Sequence, residues 1–372
     1  MNIALENPNC VMELHECKNS EMDKDFLKYL DHDTCLKIFL FLDDHADLVR
    51  VSCVSRSWRH FVIENTLCKR LCWKLFPPSK QFDLDVDLGL HERNPSLEIG
   101  HRAYAFFARG CLSFPLRGLI KDAISASSTD NYPEETVRNT LEFRERVARR
   151  ASYWSSKGHI DPSSSEILIY KLVSNICVIT EINIQPFQAY FQWGSPIYAP
   201  KSVRFRLGNL KNPDVDSLLE PCDNLADENF SWTFTSPVFP MSQDNVLQKF
   251  KLPEPVLCLG GHLQIELMGR VQRQVMDGLF YTCICYAEAI GRSLSPPFGI
   301  ESVGETDKFV LKVTNYNEPI AEEMMPRQIR TVAYPVDERH LELIANMLQD
   351  RVDLEGIVFM NGEDDINDPF LD

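Results

Sequence analysis

Nine histidines, twelve cysteines and fifty-four acidic residues are the material for chemistry in this chain, and their spacing decides which reactions are open to it. The histidines, from His15 to His340, form no HExxH and no close pair on one helix face, so the usual zinc-hydrolase spacing is missing. GxSxG, GxxxxGK[ST] and a strand-associated GxGxxG are missing as well, which removes the common signatures of serine hydrolases, P-loop enzymes and dinucleotide enzymes. Cys68 and Cys72 stand at helical spacing, and Cys283 and Cys285 share one face of a strand-like run. Neither is the doubled CxxC of a structural zinc site, so both pairs read as core thiols, with no metal and no cofactor expected. Asp122 and Asp130 fall near one loop without the ligand string of a calcium site. A glycosidase would need two carboxylates facing one pocket, and the sequence names no such pair.

The aromatic residues offer recognition rather than reaction. Gln192-Trp193-Gly194-Ser195-Pro196-Ile197-Tyr198 is a loop by its glycine and proline, which makes Trp193 and Tyr198 candidates for contacting a target. Tyr153-Trp154, followed by Ser155-Ser156, reads instead as a strand entering the core. Arg144, Arg146, Arg149 and Arg150 form the one basic cluster. It can steer an acidic partner, but a solvated helix face or a nuclear-import patch is the simpler reading.

The elements that must position these residues come from hydrophobic periodicity. A chain of 372 residues has room for two or three domains, and 44% hydrophobic against 25% charged residues is a globular composition. No apolar run approaches the roughly 20 residues of a spanning helix, so no membrane association is expected. Cysteines scattered from Cys10 to Cys285 suit a reducing compartment, cytoplasmic or nuclear. Residues 1–24 read as a tail. Cys35, Ile38, Phe39 and Leu42 then fall at i, i+3, i+4 and i+7, with Asp31 or Asp33 as cap. A second helix carries Leu48, Val51, Val54, Trp58 and Val62 inward. A third has Leu67, Leu71 and Leu75 at four-residue steps and stops at Pro77-Pro78.

Leu30-Asp31-His32-Asp33-Thr34-Cys35-Leu36-Lys37-Ile38-Phe39-Leu40-Phe41-Leu42, Asp47-Leu48-Val49-Arg50 and Val54-Ser55-Arg56-Ser57-Trp58-Arg59 closely resemble the F-box motif, over roughly residues 26–76 of a domain at 25–77. Asp31 stands where that family usually carries a proline. The resemblance implies docking on a Skp-type adaptor, and through it on a cullin, by a face made of Leu30, Leu36, Ile38, Phe39, Leu42, Leu48, Val54 and Trp58. Three short helices cannot bury so much apolar surface among themselves.

After a linker at 78–114, with Phe82 to Leu88 read as a loop and Gly100 to Arg109 as a short bridging helix, a helix is expected from Pro133 to Ala151. Six runs rich in Ile, Val, Phe, Tyr and Thr follow between Ile167 and Ala287 and indicate an antiparallel β-sandwich over 115–300. Tyr153-Trp154-Ser155-Ser156-Lys157-Gly158, Glu166 to Leu172 and Ile179-x-Glu181-Ile182-x-Ile184-x-Pro186 resemble the discoidin-type, galactose-binding-like jelly roll. A strand at Phe309 to Val313 and a helix at Asp337 to Leu348 would make a small α/β segment over 301–349, before an acidic tail at 350–372. The fold class is therefore α+β and multidomain: a three-helix F-box, a jelly roll and a small C-terminal segment.

These resemblances imply a non-catalytic substrate receptor of a ubiquitin ligase, of a kind that looks plant-like. Its sandwich would capture an unknown protein target, possibly glycosylated. The alternative is a carbohydrate- or glycoprotein-binding module scaffolded by the F-box. The formal charge of −16 argues against a nucleic-acid partner. Most of it lies outside the two modules: residues 1–24, 81–90 and 350–372 carry −3, −3 and −7, leaving −3 for the rest.

Overall fold

Helix caps and proline stops set the N-terminal architecture of the computed structural model, which describes residues 25–86, 97–144, 146–147, 150–211, 229–302 and 309–313. The chain divides into two units, Met1–Glu318 and Pro319–Asp372, and every described residue belongs to the first. The tail at 1–24, the helix expected at Asp337 to Leu348 and the acidic end lie outside the described residues.

Helix α1 (His32–Leu40) begins at Asp31, whose carboxylate accepts from the Thr34 amide at 2.9 Å and the Thr34 hydroxyl at 2.7 Å. The residue that departs from the family's proline is thus the cap of this helix. The segment read as one second helix is two. α2 (His45–Ser52) is capped by Asp44, and α3 (Arg56–Glu64) restarts at Ser55, whose hydroxyl accepts from the Trp58 amide. A serine cap inside an apolar periodicity breaks the helix where the stripe alone would continue it. α4 (Leu67–Leu75) ends before Pro77, as its prolines require.

The short strand β1 (Phe82–Val86) replaces the expected loop. Its alternating apolar residues pair in parallel with a strand some 220 residues later, a partner that local pattern cannot reveal. Helix α5 (Leu97–Ser113) is longer than the bridge expected and buries Ala103, Tyr104, Phe107, Ala108 and Cys111. It lies against α4, and the Arg59–Glu98 ion pair ties it to α3.

The sandwich then runs through β2 (Arg117–Gly118), β3 (Ile120–Ala126), β4 (Arg146–Val147), β5 (Arg150–Ala151), β6 (Trp154–Ser155), β7 (Ser165–Leu172), β8 (Ile176–Pro186) and β9 (Pro200–Leu210). It continues with β10 (Phe230–Thr235), β11 (Phe239–Pro240), β12 (Gln248–Leu259), β13 (His262–Arg270) and β14 (Cys283–Ser293). One sheet has the order β10-β9-β13-β7-β3, with β11 on β9, and the other β12-β8-β14-β2, with β6 on β14. Alternating residues of facing strands make the core, among them Trp154, Leu168, Tyr170, Ile182, Phe205 and Ile265. β15 (Phe298–Ser302) and β16 (Phe309–Val313) complete a third sheet of order β1-β16-β15.

Among the described residues from Pro133 to Ala151 no α-helix is present. A 3₁₀ turn at Val137–Thr140 is followed by the β4–β5 hairpin. Side-chain hydrogen bonds override the periodicity there: Asn139 donates to the carbonyls of Glu134 and Tyr153, and the Thr140 hydroxyl bonds the buried Tyr170 hydroxyl at 2.8 Å. Arg144, Arg146 and Arg150 therefore sit on or beside a hairpin, not along one helix.

Candidate functional site

Two surfaces stand out, one on the helices and one at the loop end of the sandwich. Phe39 and Leu48 are only 2% and 1% exposed. Phe39 packs against the rings of Trp58 and Phe61, at 5.4 and 5.2 Å between centroids. Both residues belong to the interior of the helical unit, so their place in the docking face read from sequence is corrected: in this fold they form its support. Trp58 is half-buried, and its indole N–H donates to Asp25 Oδ1 at 2.7 Å. Leu36 and Leu42 are half-buried, while Leu30, Ile38 and Val54 are exposed.

Four further residues join the exposed set: Tyr29, Leu40, Val49 and Phe41, the last 83% exposed. Seven exposed large apolar side chains thus fall between residues 29 and 54, where solvation alone would favour none. Phe41 escapes sequence reading because it lies off the helix stripe. Its signal was that Leu40-Phe41-Leu42 is too apolar for a helix end facing water.

The second surface is built by the connections that leave β3, β6, β8 and β13. Trp193 is 96% exposed, as its Gly-Pro loop suggests, whereas Tyr198 is 3% exposed and donates its hydroxyl to Gln192 Oε1 at 2.5 Å. The two candidates part company: Tyr198 lines a pocket, and Trp193 lines neither pocket at this end. Trp154 is fully buried and donates to the Ser128 carbonyl at 3.1 Å, as a core residue should.

A cavity of about 490 Å³ opens here among Phe143, Phe187, Tyr190 and Phe191, with Gln185, Gln188 and Asn245 as polar lining. Phe143, Tyr190 and Phe191 are exposed. The amides are organised: Gln185 Nε2 donates to Asn245 Oδ1 at 3.0 Å, and Asn245 Nδ2 donates to the Tyr190 hydroxyl at 2.8 Å. Phe187 and Phe191 also border a second pocket of about 170 Å³, lined by Asp130, Glu135, Tyr153, Tyr198, Gln274 and Tyr281 among others. The Tyr153 ring stacks on Phe187 at 3.8 Å, and its hydroxyl donates to Glu135 Oε1 at 2.7 Å. Tyr281 donates to Asp277 Oδ2 at 2.5 Å, which with the Leu279 amide holds the Asp277 carboxyl below its usual range. Burial, then the nearby Asp277 charge, pushes Asp130 upward.

The paired acids that sequence could not assign are therefore Asp130 and Glu135, brought together by the turn after β3. The aromatic cavity was missed because Phe143 lay in a segment read as helix, and because Phe187 and Tyr190 fall between the strand pattern that ends at Pro186 and the loop read from Gln192. Tyr190-Phe191-Gln192-Trp193 before a glycine was the available signal.

A buried ion pair fixes these loops from behind. Arg270, 2% exposed, meets Glu166 through Nη2. Its Nη1 donates to the Ser156 hydroxyl at 2.7 Å and to the carbonyls of Lys157 and Phe280 at 2.8 and 2.9 Å, and its Nε donates to Ser164 at 2.7 Å. Ser156 and Phe280 are neighbours of the pocket residues Ser155 and Tyr281. Among the described residues no group of three histidine, cysteine or acidic side chains is arranged to hold a metal, and no helix is long and apolar enough to cross a membrane.

Comparison with known proteins finds an F-box-like family match over residues 32–74. An F-box protein of Arabidopsis thaliana is 48% identical over 314 residues, covering 79% of this chain and 83% of its own. Among solved structures, the family 32 carbohydrate-binding module of C. perfringens NanJ, in complex with galactose, aligns with 45% of this chain and 98% of its own, at 12% identity and a TM-score of 0.29. The family 32 module of Streptococcus pneumoniae EndoD covers 46% and 98%, at 9% identity and a TM-score of 0.31. Reduced XRCC1 bound to the DNA pol beta catalytic domain covers 48% and 99%, at 11% identity and a TM-score of 0.29. No ligand for this chain is drawn from these three.

Proposed function

The chain belongs to the F-box proteins, and from that premise we propose that it is the substrate-recognition subunit of an SCF-type ubiquitin ligase. The exposed apolar residues of α1 to α3 dock on a Skp-type adaptor, and the loop end of the sandwich captures the target protein. The observation that carries this reading is that one folded unit holds two separate exposed apolar surfaces, Ile38, Phe41 and Val54 on α1 and the turns that follow α1 and α2, and Phe143, Phe191 and Trp193 on loops. Two binding surfaces on one chain raise the effective concentration of a target lysine near the charged ubiquitin, so transfer needs no chemistry from this subunit. The work is cytosolic or nuclear.

Co-purification with the adaptor tests the first surface. Phe41→Asp with Val54→Asp removes exposed anchors without touching Phe39 or Leu48, and is expected to weaken adaptor binding roughly thirtyfold or more, as loss of an anchor of about 2 kcal/mol would. Full binding by that variant overturns the docking face. For the second surface, Tyr190→Ala with Phe191→Ala keeps the adaptor and loses ubiquitination of the captured target. Unchanged ubiquitination overturns the receptor reading.

The aromatic walls and amide lining of the larger cavity favour a second reading, a glycan as the captured group, because flat rings and amides suit a sugar's apolar face and hydroxyls. A glycan array showing no signal for the full chain removes it.

A further inference from the structure

The two loop-end pockets differ in what they lack. In the smaller one the hydroxyls of Tyr153, Tyr281 and Tyr198 spend their protons on Glu135, Asp277 and Gln192. The Asp130 carboxylate receives no side-chain hydrogen bond and no ion pair among the described residues, and Lys157 acts on it only through space. What remains open is acceptor capacity and negative charge. A sugar presents donors and acceptors together and carries no charge to match. Lysine and arginine present donors only, three and five respectively, and are cationic.

The larger cavity shares Phe187 and Phe191 with that pocket but has another character. Its walls are largely aromatic, its polar lining is three neutral amides with Ser152 and Arg144, and Arg144 is paired with Glu142. Side-chain amides each carry a donor and an acceptor, the same pair a peptide group carries. In an extended peptide, side chains two positions apart lie on one face about 6.5–7 Å apart, a step suited to pockets that share a wall.

We propose that the loop end binds an extended protein segment in which a lysine or arginine enters the Asp130–Glu135 pocket and a neighbouring apolar side chain fills the Phe143–Phe187–Phe191 cavity. This rests on the receptor reading and names the target chemistry for it. The basic residue is an anchor, held by carboxylates in a pocket walled by tyrosines.

The test uses the full chain bound to its adaptor and a displayed library of random peptides, with no residue fixed. Lysine or arginine is expected to be enriched with an aromatic or aliphatic residue two positions away. Acetylating the lysine of a selected peptide, or introducing Asp130→Asn with Glu135→Gln, should weaken binding roughly tenfold or more, as loss of a charged hydrogen bond does. Binding should also fall as salt is raised. Enriched peptides without a basic residue, indifference to acetylation, or a glycan signal with no peptide enrichment would each overturn the proposal. The outcomes separate it from the reading beneath it. If Tyr190→Ala with Phe191→Ala abolishes target ubiquitination while the library shows no basic preference, only this inference falls. If that variant ubiquitinates normally, the receptor reading falls as well.

Discussion

Glu166→Ala is the sharpest test of how the sandwich holds its recognition loops. Glu166 is the charged partner of Arg270, and both are buried between β7 and β13. Removing the carboxylate leaves a buried guanidinium that cannot neutralise itself, a loss of about 3–5 kcal/mol. The Ser127 hydroxyl loses its acceptor too, although it still accepts from the Ile167 amide at 2.9 Å. Against a total stability of about 5–15 kcal/mol this is a large fraction. At roughly 2–4 °C per kcal/mol for a domain of this size, the sandwich transition should drop by about 6–20 °C. Glu166→Leu with Arg270→Met should recover only part of the loss. The pair itself can be replaced by apolar groups, but the Ser156, Ser164, Lys157 and Phe280 oxygens that Arg270 satisfied would remain without it. Calorimetry of the full chain reads the shift. Adaptor binding should survive, because the helical interior around Phe39, Leu48 and Val62 contains neither residue. A shift below about 2 °C, worth less than roughly 1 kcal/mol, would refute the claim that this ion pair clamps the loops.

The carboxyl of Asp130 gives a pH-dependent expectation. Its pKa is raised on folding, so the folded state holds the proton more tightly than the unfolded one. Stability from this group is therefore full below the ordinary carboxylate range and lost as pH rises through the raised value. Asp130→Asn should unfold at a higher urea midpoint than the wild type at pH 7 and at a similar one near pH 3, and equal midpoints at both would refute the assignment. Gly208 tests the sheet itself. A Cβ there would lie 2.0 Å from the Ser231 carbonyl oxygen, where β9 meets β10. Gly208→Ala must push the strands apart and should cost about 1–3 kcal/mol or more, read as a lower urea midpoint.

The helical unit was legible from sequence because its signals are local. Asp31 caps α1, Pro77 stops α4, and the Cys35–Phe39 stripe faces inward. The six strands read between Ile167 and Ala287 are present for a similar reason, since their alternation is strong; the last begins at Cys283 rather than Leu279. β12 was missed because Pro253 and Pro255 argue against a strand. It is an edge strand whose register breaks between Lys251 and Val256, where prolines cost no ladder bond. β1 and β3 were missed because their partners decide them. The loop site was the least legible. Trp193 is exposed, as its loop suggested, but lines neither pocket, Tyr198 turns inward, and the smaller pocket unites residues from Asp130 to Cys283 that no spacing rule connects.

The connection between the two surfaces gives the receptor reading its mechanical sense. Phe106 and Phe107 of α5 meet Phe298 at 4.8 and 5.4 Å between ring centroids, and a Cβ on Gly110 would come within 3.3 Å of Leu294. Helix α5 therefore packs on the helical unit by one side and on the chain leaving β14 by another, leaving no flexible linker between them. β8 runs from Ile176, whose carbonyl accepts from the Leu294 amide at that junction, to Pro186, whose neighbour Phe187 walls the loop cavities. Ten residue steps at about 3.3 Å place the recognition loops roughly 33 Å from the junction. A rigid spacer of that length confines a captured segment to a narrow region of space relative to the adaptor, whereas a flexible one would dilute it. The net charge of −16 fits this arrangement differently from how it first reads. Residues 1–24, 81–90 and 350–372 carry −13 of it, and the acids assigned to the proposed anchor, Asp130 and Glu135, line a pocket together with Tyr153, Tyr198 and Tyr281.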